Sequence, residues 1–303
     1  MRKLSIGDLE DIDNLYEKMK NEAGLLAKEK IELNIDFEQK GNLKLLVCKL
    51  KENEKYKNHP IDTLNIFYHY VANVIADYII KFKEPKILEK IIKQECYYFS
   101  SQEREVVLQL SMKALNEREG FYLSTNIYQI SKKVRIINEI IDYLENYDEL
   151  IIDGFILFRL KKYIEDLRDA VDSGIEDFLM EKEYDEFIHL LQYFVDIQEP
   201  QIQTLHILMD ENKNYSLLDG NFKPIQNECL EELSSEFLDG EIEYEDLLIS
   251  SLITIAPTKI YIHHTEETNN LEIMETIQKV FGDRVQICNG CEACRKKSIA
   301  KKE

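Results

Sequence analysis

Apolar residues recur along this chain at two periods, and the switch between periods marks its organisation. Arg2 to Ser5 reads as a short strand. After it, Leu9, Ile12, Leu15, Tyr16, Met19, Ala23 and Leu26 share one face at helical spacing, with Asp8 placed to cap that helix. Ile31, Leu33, Ile35 and Phe37 then alternate with polar residues, the period of a half-buried strand. Lys40-Gly41-Asn42 supplies a turn, and Leu43 to Leu50 returns as the second strand of a hairpin.

From Asp62 to about Ile197 the spacing is helical. Leu64, Phe67, Val71, Val74, Tyr78 and Phe82 define one helix, which Pro85 is expected to limit. Further helices are predicted over Lys86 to Tyr98, Ser101 to Arg118 and Ile127 to Asn146. Asp153-Gly154 punctuates the chain. Two more helices follow, Phe155 to Met180 and Tyr184 to Ile197, the first striped by Leu157, Leu160, Ile164, Leu167 and Val171. Pro200 closes the helical region.

Beyond it, Thr204 to Met209 and Tyr215 to Leu218 read as a hairpin, and helices are expected at Ile225 to Leu238 and Tyr244 to Ile255. Lys259 to His264 is a strand. Asn269 and Glu272 suit a capping box for a helix over Leu271 to Phe281, which Gly282 ends, and Arg284 to Cys288 is the last strand. Strand, helix and strand in so short a span make a βαβ unit with parallel strands. The expected class is therefore α+β and predominantly α-helical. A small α/β unit (1–58) precedes a helical domain (59–200), a C-terminal α/β domain (201–294) and a basic tail (295–303).

Composition narrows the function classes. A formal charge of −20 over 303 residues repels phosphate backbones and anionic headgroups, which argues against nucleic acid as a partner. The first twenty residues carry charges every few positions, unlike a secretory signal. The longest uncharged stretch, Thr63 to Ala76, falls short of the roughly 20 apolar residues of a membrane span. A cytoplasmic location is expected. There is no G-x-S-x-G, P-loop or G-x-G-x-x-G, and the lone E-x-x-H, Glu186 with His189, lacks the second copy that a di-iron bundle needs.

The pointed chemistry lies in the cysteines. Cys48, Cys96 and Cys229 sit in apolar contexts and suit a packed interior. Cys288, Cys291 and Cys294 form C-x2-C-x2-C, with Gly290 letting the backbone wrap around a soft cation. Zinc and iron–sulfur clusters both want four ligands, and Ser298 stands where a ferredoxin-type fourth cysteine would fall. His263 and His264 end the preceding strand of the βαβ unit, on the edge where Cys288 ends its own. Because neighbouring side chains alternate, at most one of these histidines faces the cysteines. The expected metal ligands are thus Cys288, Cys291 and Cys294 with His263 or His264, holding zinc or an iron–sulfur cluster. Redox-active thiols and inert reduced cysteines are the competing readings. Arg295, Lys296 and Lys297 would favour thiolate. His69 and His206, each within an apolar run, read as core histidines.

Several strings also carry a resemblance. Asp153-Gly154-Phe155-Ile156-Leu157-Phe158-Arg159-Leu160-Lys161, Phe178-Leu179-Met180-Glu181-Lys182-Glu183-Tyr184 and Tyr193 to Pro200 resemble segments of the YtxC-like family of sporulation proteins. So do Tyr244 to Ser250, Thr254-Ile255-Ala256-Pro257 and the closing Cys288 to Cys294. The resemblance implies a cytoplasmic protein of an endospore-forming bacterium, linked to sporulation. It brings no enzymatic activity and no catalytic residues. The functional expectation is a non-catalytic protein that works through a protein partner, with a structural metal at the cysteine cluster. The alternative is a metal- or thiol-dependent enzyme with its site at the C-terminal sheet edge.

Overall fold

Leu4 and Ile6 alternate with polar residues in a five-residue strand, and both are fully buried at the centre of the first sheet. The structure, a computed structural model, describes residues 3–10, 12–28, 32–41, 43–50, 60–117, 126–209, 215–225, 244–263, 271–288 and 290–291. Strand β1 (Lys3–Gly7) pairs antiparallel with β3 (Leu43–Leu50), which pairs antiparallel with β2 (Leu33–Lys40) across the expected hairpin. A short strand that hydrophobic spacing does not announce, β4 (Glu149–Ile151), joins β1 in parallel, giving the order β2-β3-β1-β4. The chain divides into two compact units, Met1–Leu179 and Met180–Glu303.

In the first unit the helices are α1 (Ile12–Lys28), α2 (Pro60–Tyr78), α3 (Glu84–Glu95), α4 (Ser101–Glu117), α5 (Asn126–Asn146) and α6 (Ile152–Arg159), with the start of α7 (Lys161–Ile197). One core unites them with the sheet, from Leu4, Leu15 and Met19 through Phe67, Ile75 and Leu88 to Ile140, Leu150, Leu167 and Val171. Pro85 does not stop the helix before it. Residues Ile79–Lys83 widen into a π turn, in which the Glu84 N–H donates to the Ile79 carbonyl, and helix resumes with proline in its first turn. A proline lacks an N–H and its ring crowds the carbonyl four residues back, so a locally widened helix accommodates it.

Other expectations change in the same unit. Asp8 is not the cap of α1: it is buried, accepts the Glu10 N–H and pairs with the buried Lys83, whose Nζ also lies 2.8 Å from Asp153 Oδ1. Asp153-Gly154 opens α6 instead of interrupting the chain. Leu157, in α6, is 64% exposed and lies off the buried stripe that Leu160, Leu167 and Val171 continue. The two helices expected over 155–197 become α6 and the single long α7. His69 is exposed on α2, not a core histidine.

The second unit is built on a sheet of order β6-β5-β7-β8. Strand β5 (Thr204–Met209) pairs antiparallel with β6 (Tyr215–Asp219) and parallel with β7 (Lys259–His263), and β7 pairs parallel with β8 (Val285–Ile287). Leu205, Ile207, Ile260 and Ile262 point to one face, where they meet Leu248, Leu252 and Ile255 of α8 (Tyr244–Ile255). Ile273, Ile277, Val280 and Phe281 of α9 (Leu271–Phe281) and Ile188 and Val195 of α7 belong to the same core. Gly282, at φ +52°, ends α9 in a conformation that side chains resist. The βαβ unit is thus present with parallel strands. The helix expected over 225–238 beyond its first residue, the turn over 210–214, Asn269 of the capping box, Cys229 and the tail 295–303 lie outside the described residues. Among the described residues, no helix is long and apolar enough to cross a membrane.

Candidate metal centre

Strand alternation decides which side chains share the sheet's other face. With Leu205, Ile207, Ile260 and Ile262 turned into the core, His206, Tyr261 and His263 stand on the opposite side. The parallel register sets His206 beside Tyr261 and Leu208 beside His263, so the two histidines are diagonal neighbours. Both are buried, and His206 Nδ1 lies 2.9 Å from His263 Nε2.

Strand β8 ends next to β7. The Cys288 N–H donates to the Ile262 carbonyl at 2.9 Å, extending the ladder by one bond and fixing where the cysteine segment leaves the sheet. Gly290, at φ +105°, turns the chain back, and Cys291 Sγ comes within 3.4 Å of His263 Nδ1. One ligand atom each from His263, Cys288 and Cys291 fall within 4.8 Å of one another. Of the five residues expected as ligands, the structure brings these three together. His264 and Cys294 lie outside the described residues.

A tetrahedral zinc with ordinary bond lengths places a sulfur and a nitrogen ligand about 3.6 Å apart. The 3.4 Å between Cys291 and His263 matches that separation. Burial penalises the charged imidazolium and pulls His206 below the usual histidine range, with nearby Asp219 opposing the shift. His263 is lowered for the same reason, and the neighbouring His206 adds to it. The neutral form, which this burial favours, is the one in which an imidazole offers a lone pair.

Sequence reasoning set His206 aside as a core residue. It is buried, yet it touches the candidate centre directly, and aromatic rings enclose it. Phe222 stacks on it at 4.2 Å between centroids, and Tyr261 at 5.2 Å. Phe222 holds a left-handed φ of +59°. Its turn is tied down by Asp219, whose Oδ1 accepts the N–H groups of Asn221 and Lys223 and whose carbonyl accepts that of Phe222. Elsewhere, Cys48 and Cys96 are buried as expected, and Glu186 and His189 are exposed on α7.

Fold and site together define an α+β, mainly helical protein with a histidine–cysteine cluster at the carboxyl edge of a parallel strand pair. The model of the YtxC-like family matches residues 69–286, and the chain belongs to that family. It is 28% identical over 220 residues to "Uncharacterized protein YtxC" of Bacillus subtilis (strain 168), a match covering 72% of this chain and 76% of that protein. The family match includes His206 and His263 and stops before Cys288. No solved structure matches the chain.

Proposed function

We propose that the YtxC-like chain is a non-catalytic, sporulation-associated cytoplasmic protein whose C-terminal unit is held together by one zinc ion. Cys288, Cys291 and His263 are three of its ligands, and Cys294, one C-x2-C step further on, is the fourth. The observation that carries this reading is the 3.4 Å approach of His263 Nδ1 to Cys291 Sγ, with Cys288 in the same cluster. A histidine among the ligands favours a single ion over an iron–sulfur cluster, which takes four thiolates in its common forms.

A role through a protein partner is supported by the second unit's part of α7. Met180, Tyr184, Phe187, Leu190, Phe194 and Ile197 recur at helical spacing and are all exposed. An apolar stripe of that length on one helix is a surface that partners cover.

Metal analysis of the anaerobically purified full chain tests the zinc. The expected result is about one zinc per chain, lost in Cys291→Ser and in His263→Ala together with C-terminal thermal stability. Neither zinc nor iron at stoichiometric levels, even after zinc reconstitution, would overturn the reading. Iron with absorbance near ~400 nm would assign a cluster instead. A Cys291→Ser chain that folds normally yet fails to support sporulation would move the site from structure to chemistry, favouring the enzyme alternative.

A further inference from the structure

A 2.9 Å contact between two imidazole nitrogens needs one N–H and one lone pair, which leaves two arrangements of the shared proton, and the surroundings of this pair choose between them. His263 faces Cys291 through Nδ1 and His206 through Nε2. A nitrogen that binds a metal carries no proton, so the His263 proton must sit on Nε2. Nε2–H then donates to His206 Nδ1 across 2.9 Å, and the proton of His206 is left on its own Nε2.

We infer that His206 is the positioning residue of the centre: its Nδ1 accepts the His263 Nε2–H and so aims the His263 Nδ1 lone pair at the cysteine sulfurs. This rests on the zinc reading above. His206 touches no metal itself and acts through the orientation and basicity of His263. The enclosure of His206 gives the role a physical basis. Its ring stacks against both Phe222 and Tyr261, and the closer of the two, Phe222, adopts a left-handed backbone that the Asp219 turn maintains. Such backbone persists where its surroundings over-determine it. Both rings pack on His206 with its Nδ1 at the His263 Nε2.

The test uses the full chain, with zinc titrated against a chromogenic chelator and the histidine tautomers read by long-range 1H–15N NMR. His206→Leu removes the acceptor and keeps an apolar side chain for Phe222 and Tyr261 to pack on. It should weaken zinc binding about 10–100-fold. His206→Asn places a carbonyl oxygen near the former Nδ1 and should restore most of that loss. In the zinc-loaded wild type, His263 should carry its proton on Nε2 and His206 should carry its own on Nε2. A role confined to packing would let leucine serve as well as asparagine. Zinc affinity unchanged in His206→Leu, or a His263 proton found on Nδ1, overturns the inference and leaves the zinc site standing. A wild type that binds no zinc overturns the site and the inference together. If His206→Leu fails to fold, the wild-type tautomers and the asparagine variant decide.

Discussion

Gly174 lies where α7 crosses α4, and replacing it with alanine should destabilise the first unit although alanine is the better helix former. A Cβ at position 174 would stand 2.5 Å from Ser111 Oγ, 2.8 Å from Ser111 N and 3.1 Å from Ser111 Cα. The hydroxyl cannot simply rotate out of the way without a cost, because it is fully buried and donates to the Val107 carbonyl at 2.7 Å. The contact with N cannot be relieved by any rotamer, since it belongs to the backbone of α4. Reaching ordinary contact at 3.4 Å requires the helices to separate locally by about 0.6 Å. Forcing an extra methyl into packed surroundings costs about 1–3 kcal/mol, against a helix-propensity gain of about 0.8–1.0 kcal/mol. Because the obstruction is backbone, the larger cost applies and a net loss of about 1–2 kcal/mol is expected. The assay is urea and thermal unfolding of the full chain by circular dichroism, where the loss should lower the midpoint by about 3–6 °C. Gly24→Ala is the control. Gly24 is exposed in α1 with nothing within 4 Å of an added Cβ, so that variant should gain up to about 1 kcal/mol. Ser111→Ala combined with Gly174→Ala removes only the closest contact and should recover less than half the loss. A Gly174→Ala chain as stable as wild type, or a double variant that fully recovers, would refute the claim that backbone contact sets the spacing.

Two further outcomes follow from the first unit's buried polar groups. Lys132 is 2% exposed, and its Nζ bonds both Glu84 oxygens while the Tyr163 hydroxyl donates to one of them. Lys132→Met strands that carboxylate and should cost about 3–5 kcal/mol in urea unfolding, whereas Lys132→Met with Glu84→Gln should cost clearly less; equal losses would contradict the pairing. Burial pushes the Cys48 thiol up to about 12, while an unfolded thiol ionises near ~8.5. Between those values the native state binds more protons than the unfolded one, so stability should fall with rising pH, by about 2–3 kcal/mol at pH ~10.5. Desolvation opposes the Lys83 ammonium, but its hydrogen bonds to Asp153 and Asp8 prevail and hold it above its usual range, so its contribution is also lost toward alkaline pH. Melting midpoints from pH 7 to 11 should fall less steeply in Cys48→Val; parallel curves would remove the thiol from the account.

Periodicity reached the elements whose buried face is simple. The β2–β3 hairpin, α4, α5, β5, α8, β7 and α9 lie within a few residues of their expected bounds, because the helices show the core one apolar stripe and the strands are short runs bounded by turn or proline signals. The departures share a different cause, namely partners distant in sequence. Pro85 reads locally as a stop, and the widened turn before it turns it into a start. Asp8 has the form of a cap, but a buried lysine 75 residues away claims it. Strand β4 is three residues long and exists by pairing with β1, which no local pattern encodes.

The candidate centre was legible in the part that parity and spacing control. The βαβ pattern put the ends of β7 and β8 on one edge, and alternation allowed one histidine to face the cysteines. His206 was hidden for an identifiable reason. Its strand runs Leu205, His206, Ile207, Leu208, Met209, apolar on both sides of the sheet, so alternation there does not announce which face is the core. Once Leu205 and Ile207 are known to be buried with Ile260 and Ile262, His206 must share a face with Tyr261 and His263. The register that sets His206 beside Tyr261 then brings it diagonally to His263. Parity assigns a face, but only strand pairing assigns a neighbour. A histidine inside an apolar strand of a parallel sheet therefore invites comparison with every polar residue that an adjacent strand places on the same face.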